Sequence, residues 1–334
     1  MTMKLKRFRK LDIQDLSLGE KTHGCLEIVR LPGNVLHVPI LVARGRSAGP
    51  VLLAVAGVHG DEYEGMEAIR EVFQKLDVSR MSGTFIGIPV CNMLAYDSLS
   101  RATPTFADGF NLARVFPGDA DGKPTEALAY GLFQLAVDNL DESGLLVDLH
   151  SAGTHYRFLP VVSYRNIEGA ARDRSIEAAR LFGLPRLWAD EPRPGRFTTE
   201  LCKLGIPAIG GEMTGGGKCL AGDVKTYADG LMNSLGWLGI VEPSPEGTID
   251  SQAEKVSLVY TAESGFLRLA KQLGDAVEEQ ENLGEVVDVF GTVRMEVRSP
   301  CSGYVLAIRS TPAILQGDAV AYIAYSDVEL EAEI

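Results

Sequence analysis

The sequence predicts an α/β fold, a mixed and mostly parallel sheet between helices, followed by a small all-β unit. Between residues 50 and 240, short apolar runs alternate with segments of helical periodicity. The apolar runs are continuous rather than alternating, as expected of strands covered on both faces. At 242–248 the composition breaks at EPSPEGT. Beyond it, β-prone pieces are separated by turns at Gly265, Gly274, Gly284, Gly291, Gly303 and Gly317, with no helical stretch among them.

The elements follow in order. CLEIVRLPGNVLHVPILVARG (25–45) reads as two strands joined by a Pro-Gly-Asn turn, and VLLAVAGV (51–58) as a buried strand. In EGMEAIREVFQKL (64–76), Met66, Ile69, Val72, Phe73 and Leu76 fall on one helical side. TFIGIPV (84–90) is a strand, and PTEALAYGLFQLAVDNL (124–140) is a helix opening at Pro. GLLVDLHSAG (144–153) is again a strand, running into a histidine and small residues. SIEAARLFGL (175–184) and TTELCKLG (198–205) are helices reaching Gly, IPAIGGEM (206–213) a strand, and VKTYADGLMNSLGWLGI (224–240) a long helix. This gives an N-terminal β segment over 1–45, a main domain over 46–245, a linker at 242–248 and a β module over 250–334.

The bulk numbers restrict function. A chain of 334 residues with 46% hydrophobic and 23% charged residues is an ordinary globular composition. A net charge of −13 argues against nucleic-acid partners, whose phosphates require clustered Lys and Arg. Cys25, Cys91, Cys202, Cys219 and Cys301 are dispersed without a CxxC pair, which fits reduced thiols and a cytoplasmic location. The N-terminus is basic but lacks the apolar core of a signal peptide, and no apolar run approaches spanning length, so no membrane partner is expected.

The chemistry concentrates at strand ends, where open α/β sheets collect ligands. In GVHGDEYEG (57–65), His59 and Glu62 are three apart, so one turn can aim both side chains at a point. His150 and Glu212 follow two other strands. Two imidazoles and a carboxylate are a common catalytic zinc set with one position left for water. An HxxE pair alone is weak, and a single strand-end histidine is more often merely hydrogen-bonded. His23 and His37 lie among the early strands and read as structural, and His155 reads as a loop residue. Asp61 and Glu64 are assigned to the turn and the helix start. TGGGKC (214–219) is not a phosphate loop, because Glu212 and Cys219 stand where that pattern needs Gly and Ser/Thr.

Four motifs, GVHGDEYEG, DGFNLARVFPG (108–118), DLHSAG (148–153) and GGEMTGGG (210–217), resemble in this order the succinylglutamate desuccinylase/aspartoacylase family of zinc carboxypeptidase-like amidohydrolases. In layout the chain is similar to the N-acetyl-diaminobutyrate deacetylase subgroup. The resemblance implies a zinc-carboxypeptidase-like domain holding one zinc ion per chain through His59, Glu62 and His150. It implies that Glu212 activates the attacking water and that Arg101 polarises the scissile carbonyl. Arg114 would grip the substrate carboxylate, with Asn111 in support. The family usually reads NLNR where this chain has Ala113, and a methyl group cannot donate that hydrogen bond.

The C-terminal module resembles barrel-sandwich folds of the biotinyl/lipoyl type. It has no lysine after Lys271, so a carrier role is excluded; the family resemblance implies instead a lid or oligomer contact near the active site. The expected function is zinc-dependent cleavage of the amide of a small-molecule N-acyl amino acid or related amine, in a protein that could form a homo-oligomer. The alternatives are a carboxypeptidase on short peptides or peptidoglycan fragments, and a binding protein of the same fold, for which Ala113 is the only indication.

Overall fold

The computed structural model describes residues 6–31, 34–242 and 252–326. Two turn residues of the predicted hairpin (32–33) and nearly all of the predicted linker therefore lie outside the described residues. The chain opens with β1 (Lys6–Phe8), β2 (Glu20–Leu31), β3 (Asn34–Arg44), β4 (Ser47–Ala56) and α1 (Glu64–Lys75). β5 (Ser82–Ile88), α2 (Met93–Asp97) and α3 (Pro124–Asn139) follow. Then come β6 (Leu145–Ser151), β7 (Tyr156–Phe158), β8 (Val161–Arg165), α4 (Ala170–Phe182) and β9 (Leu187–Asp190). α5 (Phe197–Cys202), β10 (Ala208–Met213) and α6 (Ala221–Trp237) end the α/β region.

Every described element from 252 to 326 is a strand. These are β11 (Ala253–Tyr260), β12 (Gly265–Leu269), β13 (Ala276–Val277) and β14 (Asn282–Val287), then β15 (Val293–Arg298), β16 (Gly303–Arg309), β17 (Ala313–Ile314) and β18 (Ala319–Tyr325). One sheet runs β1-β2-β3-β5-β4-β6-β10-β8-β9-β11-β18-β16-β13, with β7 added on β16, and β15-β14-β12-β17 form a second sheet. The central run β5-β4-β6-β10 is parallel, while β2–β3, β3–β5 and β10–β8 pair antiparallel. The sheet is thus mixed, with a parallel centre.

The continuous apolar runs explain the layers. On β4, Leu52, Ala54 and Ala56 share a core with α1, α4 and α6, while Val51, Leu53 and Val55 face the core built by α3 and α5. Alternation along the strand thus buries both faces. The predicted side of α1 packs as expected, with Met66, Ile69, Val72 and Leu76 in the first core and Phe73 against it. β6 begins the same way, Leu145, Val147 and Leu149 on one face and Leu146 on the other. That second face then turns polar, at Asp148 and His150.

Several elements carry no clear periodic signal and are additions to the sequence reading. β1 pairs parallel with β2 ahead of the first predicted strand. β7, β8 and β9 are three to five residues long, too short for a period to stand out. Among the described residues no helix is long and apolar enough to cross a membrane.

Leu53 is fully buried at the centre of the parallel run. Leu53→Ala is expected to lower the unfolding free energy by about 2–5 kcal/mol, read from urea denaturation at constant m-value.

Candidate metal centre and active site

The turn after β4 is shaped by two glycines. Gly57 adopts a left-handed φ of +62°. At Gly60 a Cβ would lie 2.1 Å from the backbone of Ala95, so only glycine lets this turn pack against α2. The turn delivers His59 and Glu62, both 2% exposed, to the carboxyl end of the sheet. His150 comes from the end of β6. Parallel pairing with β10 sets Glu212 opposite His150 and Gly210 opposite Asp148.

The predicted residues converge. Glu62 Oε1 lies 2.8 Å from His59 Nδ1 and Oε2 lies 2.8 Å from His150 Nδ1, with the two rings 5.0 Å apart. The ligand atoms of His59, Glu62 and His150 all lie within 4.8 Å of one another. Arg101 Nη1 donates to Glu62 Oε1 at 2.6 Å, and the Ser151 N–H donates to Oε2 at 3.2 Å. Arg101, Arg114 and Glu212 line the same cavity as His59 and His150. Leu112–Arg114 is a 3-10 turn, and Asn111 caps it, its Oδ1 accepting from Ala113 N–H at 2.9 Å and lying 3.1 Å from His59 Nε2. Asn111 thus bears on a candidate metal ligand. Asp61 is also tied elsewhere than its own turn: it accepts from the N–H and hydroxyl of Thr154.

Charge explains the ionisation. Burial alone would raise Glu62, but His59, His150 and Arg101 together hold it well below the usual carboxylate range. Burial, aided by the charge of Arg101, pushes His59 down to about 4, so this ring is neutral. Burial opposes charge on His150 as well, yet Asp148 and Glu62 hold it well above the ordinary imidazole value. Burial drives Glu212 up to about 8, with Glu62 adding to it against His150 and Arg101.

The donor set fits a divalent cation. The neutral His59 has one ring proton. Both ring nitrogens face acceptors, Glu62 Oε1 at Nδ1 and Asn111 Oδ1 at Nε2, so that proton satisfies only one of them. A cation bound between His59 Nδ1 and Glu62 would leave the ring proton to Nε2 and Asn111. His150 sets Nε2 on Asp148 Oδ2 at 3.2 Å and Nδ1 on Glu62, and a cation bound there would take the place of its Nδ1 proton. Ligating histidines characteristically give their second nitrogen to such an acceptor.

Other parts of the site escape sequence reasoning. The far wall carries Arg165, Arg196 and Asp190, with both guanidiniums paired to the one Asp190 carboxylate. Tyr322 of β18 enters the cavity beside Tyr156 and Phe158, its ring centroid 5.9 and 5.1 Å from theirs. The fully buried Tyr227 of α6 donates its hydroxyl to the His150 carbonyl, and Gly211 leaves it the space. Only Asp148 left a signal, two residues before His150 on the same strand face.

Fold and site together define an α/β protein that gathers a His-Glu-His group at the carboxyl edge of a mixed sheet and continues into antiparallel strands. Residues 48–236 match the succinylglutamate desuccinylase/aspartoacylase catalytic domain, and the chain belongs to that family. It is 30% identical over 298 residues to the N-alpha-acetyl-L-2,4-diaminobutyric acid deacetylase of Halomonas elongata, covering 86% of this chain and 85% of that protein. Among solved structures, the product-bound ectoine utilization protein EutE (DoeB) of Ruegeria pomeroyi aligns at TM-score 0.83 and 27% identity, over 93% of this chain and 98% of that one. A succinylglutamate desuccinylase/aspartoacylase from Rhodobacter sphaeroides aligns at TM-score 0.83 and 28% identity, over 94% and 98%.

Folded Glu212 keeps its proton to about pH 8, whereas an ordinary glutamate releases it near 4.5. Between these values the folded state binds more protons, so this group's contribution to stability falls as pH rises. In metal-free protein, Glu212→Gln is therefore expected to gain in Tm over the wild type from about pH 5 to about pH 8, as followed by calorimetry.

Proposed function

We propose that this chain is a zinc-dependent hydrolase that cleaves the amide bond of an N-acylated amino acid or related small amine. The observation that carries the reading is the convergence of His59, Glu62 and His150 beside Glu212 in an arginine-walled cavity. Membership of the family and the likeness to a named deacetylase support it.

His59, Glu62 and His150 would hold one zinc ion, which when bound lowers the pKa of water and polarises a carbonyl. Arg114 has no acidic partner among the described residues and offers a planar fork to the substrate carboxylate. Arg101, half-buried over the Glu62 carboxylate, faces the cavity where charge develops on the scissile carbonyl oxygen. Glu212 takes a proton from the attacking water and returns it to the departing amine nitrogen, so that one C–O bond forms as the C–N bond breaks. Burial raises Glu212 to about 8 in the metal-free chain, which suits it to return the proton, and a bound cation would favour the ionised form that takes it.

Protein purified without added metal is expected to contain about one zinc per chain and to lose activity on chelation, recovering it on zinc addition. Retained turnover in chelator at zero metal content overturns the reading. Glu212→Gln is expected to keep its zinc and lose about 10²–10⁴-fold in kcat. A panel of N-acetyl amino acids against dipeptides separates deacylation from carboxypeptidase action, with turnover expected on the former.

A further inference from the structure

The segment that follows His150 is held along its length by the C-terminal strands. Tyr156–Phe158 pair antiparallel with Ala307–Arg309, and Leu159 N–H donates to Leu306 O at 2.9 Å. The Tyr156 hydroxyl donates to Ala319 O at 3.0 Å. Ser310, just past β16, binds two carbonyls: its N–H donates to His155 O at 2.8 Å and its hydroxyl to Thr154 O at 2.6 Å.

Thr154 passes the hold onward. Its N–H and its hydroxyl both donate to Asp61 Oδ2, each at 2.8 Å. Asp61 sits between His59 and Glu62 in the chain, is 2% exposed, and its Oδ1 accepts no hydrogen bond among the described residues. Thr154 therefore supplies both hydrogen bonds found for this buried carboxylate. The approach is close: at Gly153, with φ +54°, a Cβ would stand 2.7 Å from the Asp61 carboxylate.

We propose that the C-terminal β unit positions the metal-binding turn, acting through Ser310, Thr154 and Asp61. This rests on the zinc reading above. A buried carboxylate deprived of donors must move or rehydrate. Asp61 is buried between His59 and Glu62 in one tight turn, so such a move bears on the backbone that carries both. Thr154 and Ser310 are positioning residues, neither of which lines the cavity.

The test is the zinc dissociation constant of the full chain, by competition with a chromophoric chelator, alongside the Tm of the metal-free form. Thr154→Val keeps shape and N–H but loses the hydroxyl. It is expected to weaken zinc binding about 10-fold with the metal-free Tm little changed, and Thr154→Ser is expected to restore it. Ser310→Ala is expected to weaken zinc about 3-fold, and the double variant less than the product of the two, because both act through one residue. The proposal is overturned if Thr154→Val holds zinc like the wild type, if its loss follows a fall in metal-free Tm, or if the two effects multiply. A wild-type chain that takes up no zinc removes the zinc reading and this proposal together. Normal zinc affinity in all the variants removes this one alone.

Discussion

A carboxylate only 2% exposed, like that of Glu62, must be met by positive charge and hydrogen-bond donors, and the site is arranged around that demand. Two imidazoles, one guanidinium and one backbone N–H surround its two oxygens. Each partner is held in turn: His59 by Asn111, His150 by Asp148 and, at its carbonyl, by Tyr227. The charge that Glu62 attracts also sets the rest. Arg101 helps to depress His59, while Glu62 helps to hold His150 protonated and to raise Glu212.

The parallel centre of the sheet makes this convergence geometric. Because β4, β6 and β10 run the same way, their carboxyl ends open on one edge, and three segments distant in sequence deliver side chains there. Register then selects the neighbours. Glu212 stands beside His150, while glycine at 210, opposite Asp148, keeps the floor between the strands open to Ser163 and Arg165. A one-residue slip would turn His150 or Glu212 to the face packed against α1, α4 and α6.

Much of this was legible in the chain. The apolar runs located the parallel strands because burial on both faces leaves no polar alternation. HxxE located the turn because three-residue spacing brings two side chains together. The family motifs named the remaining positions. What was not legible depends on contacts that no local pattern encodes. Arg165, Asp190 and Arg196 meet only because β8 inserts antiparallel beside β10 and β9 pairs with it. Tyr322 reaches the cavity only because β11 continues the main sheet from β9 and β18 follows it. Asn111 Oδ1 lies 3.1 Å from His59 Nε2, a contact that the NLAR motif does not itself encode.

The far wall bears on the missing family asparagine at 113. Ala113 is largely buried in the core beneath α3, and its carbonyl accepts from Arg114 Nη1. The segment around Gly195 lies directly against the Arg114 turn: a Cβ at 195 would stand 2.2 Å from the Arg114 carbonyl oxygen, and Phe116 N–H donates to Gly195 O at 3.1 Å. That contact sets Arg196 on the same cavity as Arg114. Arg165 and Arg196 share the one Asp190 carboxylate while Arg114 adds a third guanidinium to the lining, so this wall carries net positive charge without an amide at 113. On the proposed reading, such a wall favours a substrate carboxylate through charge, where the family's asparagine would have supplied a neutral hydrogen bond.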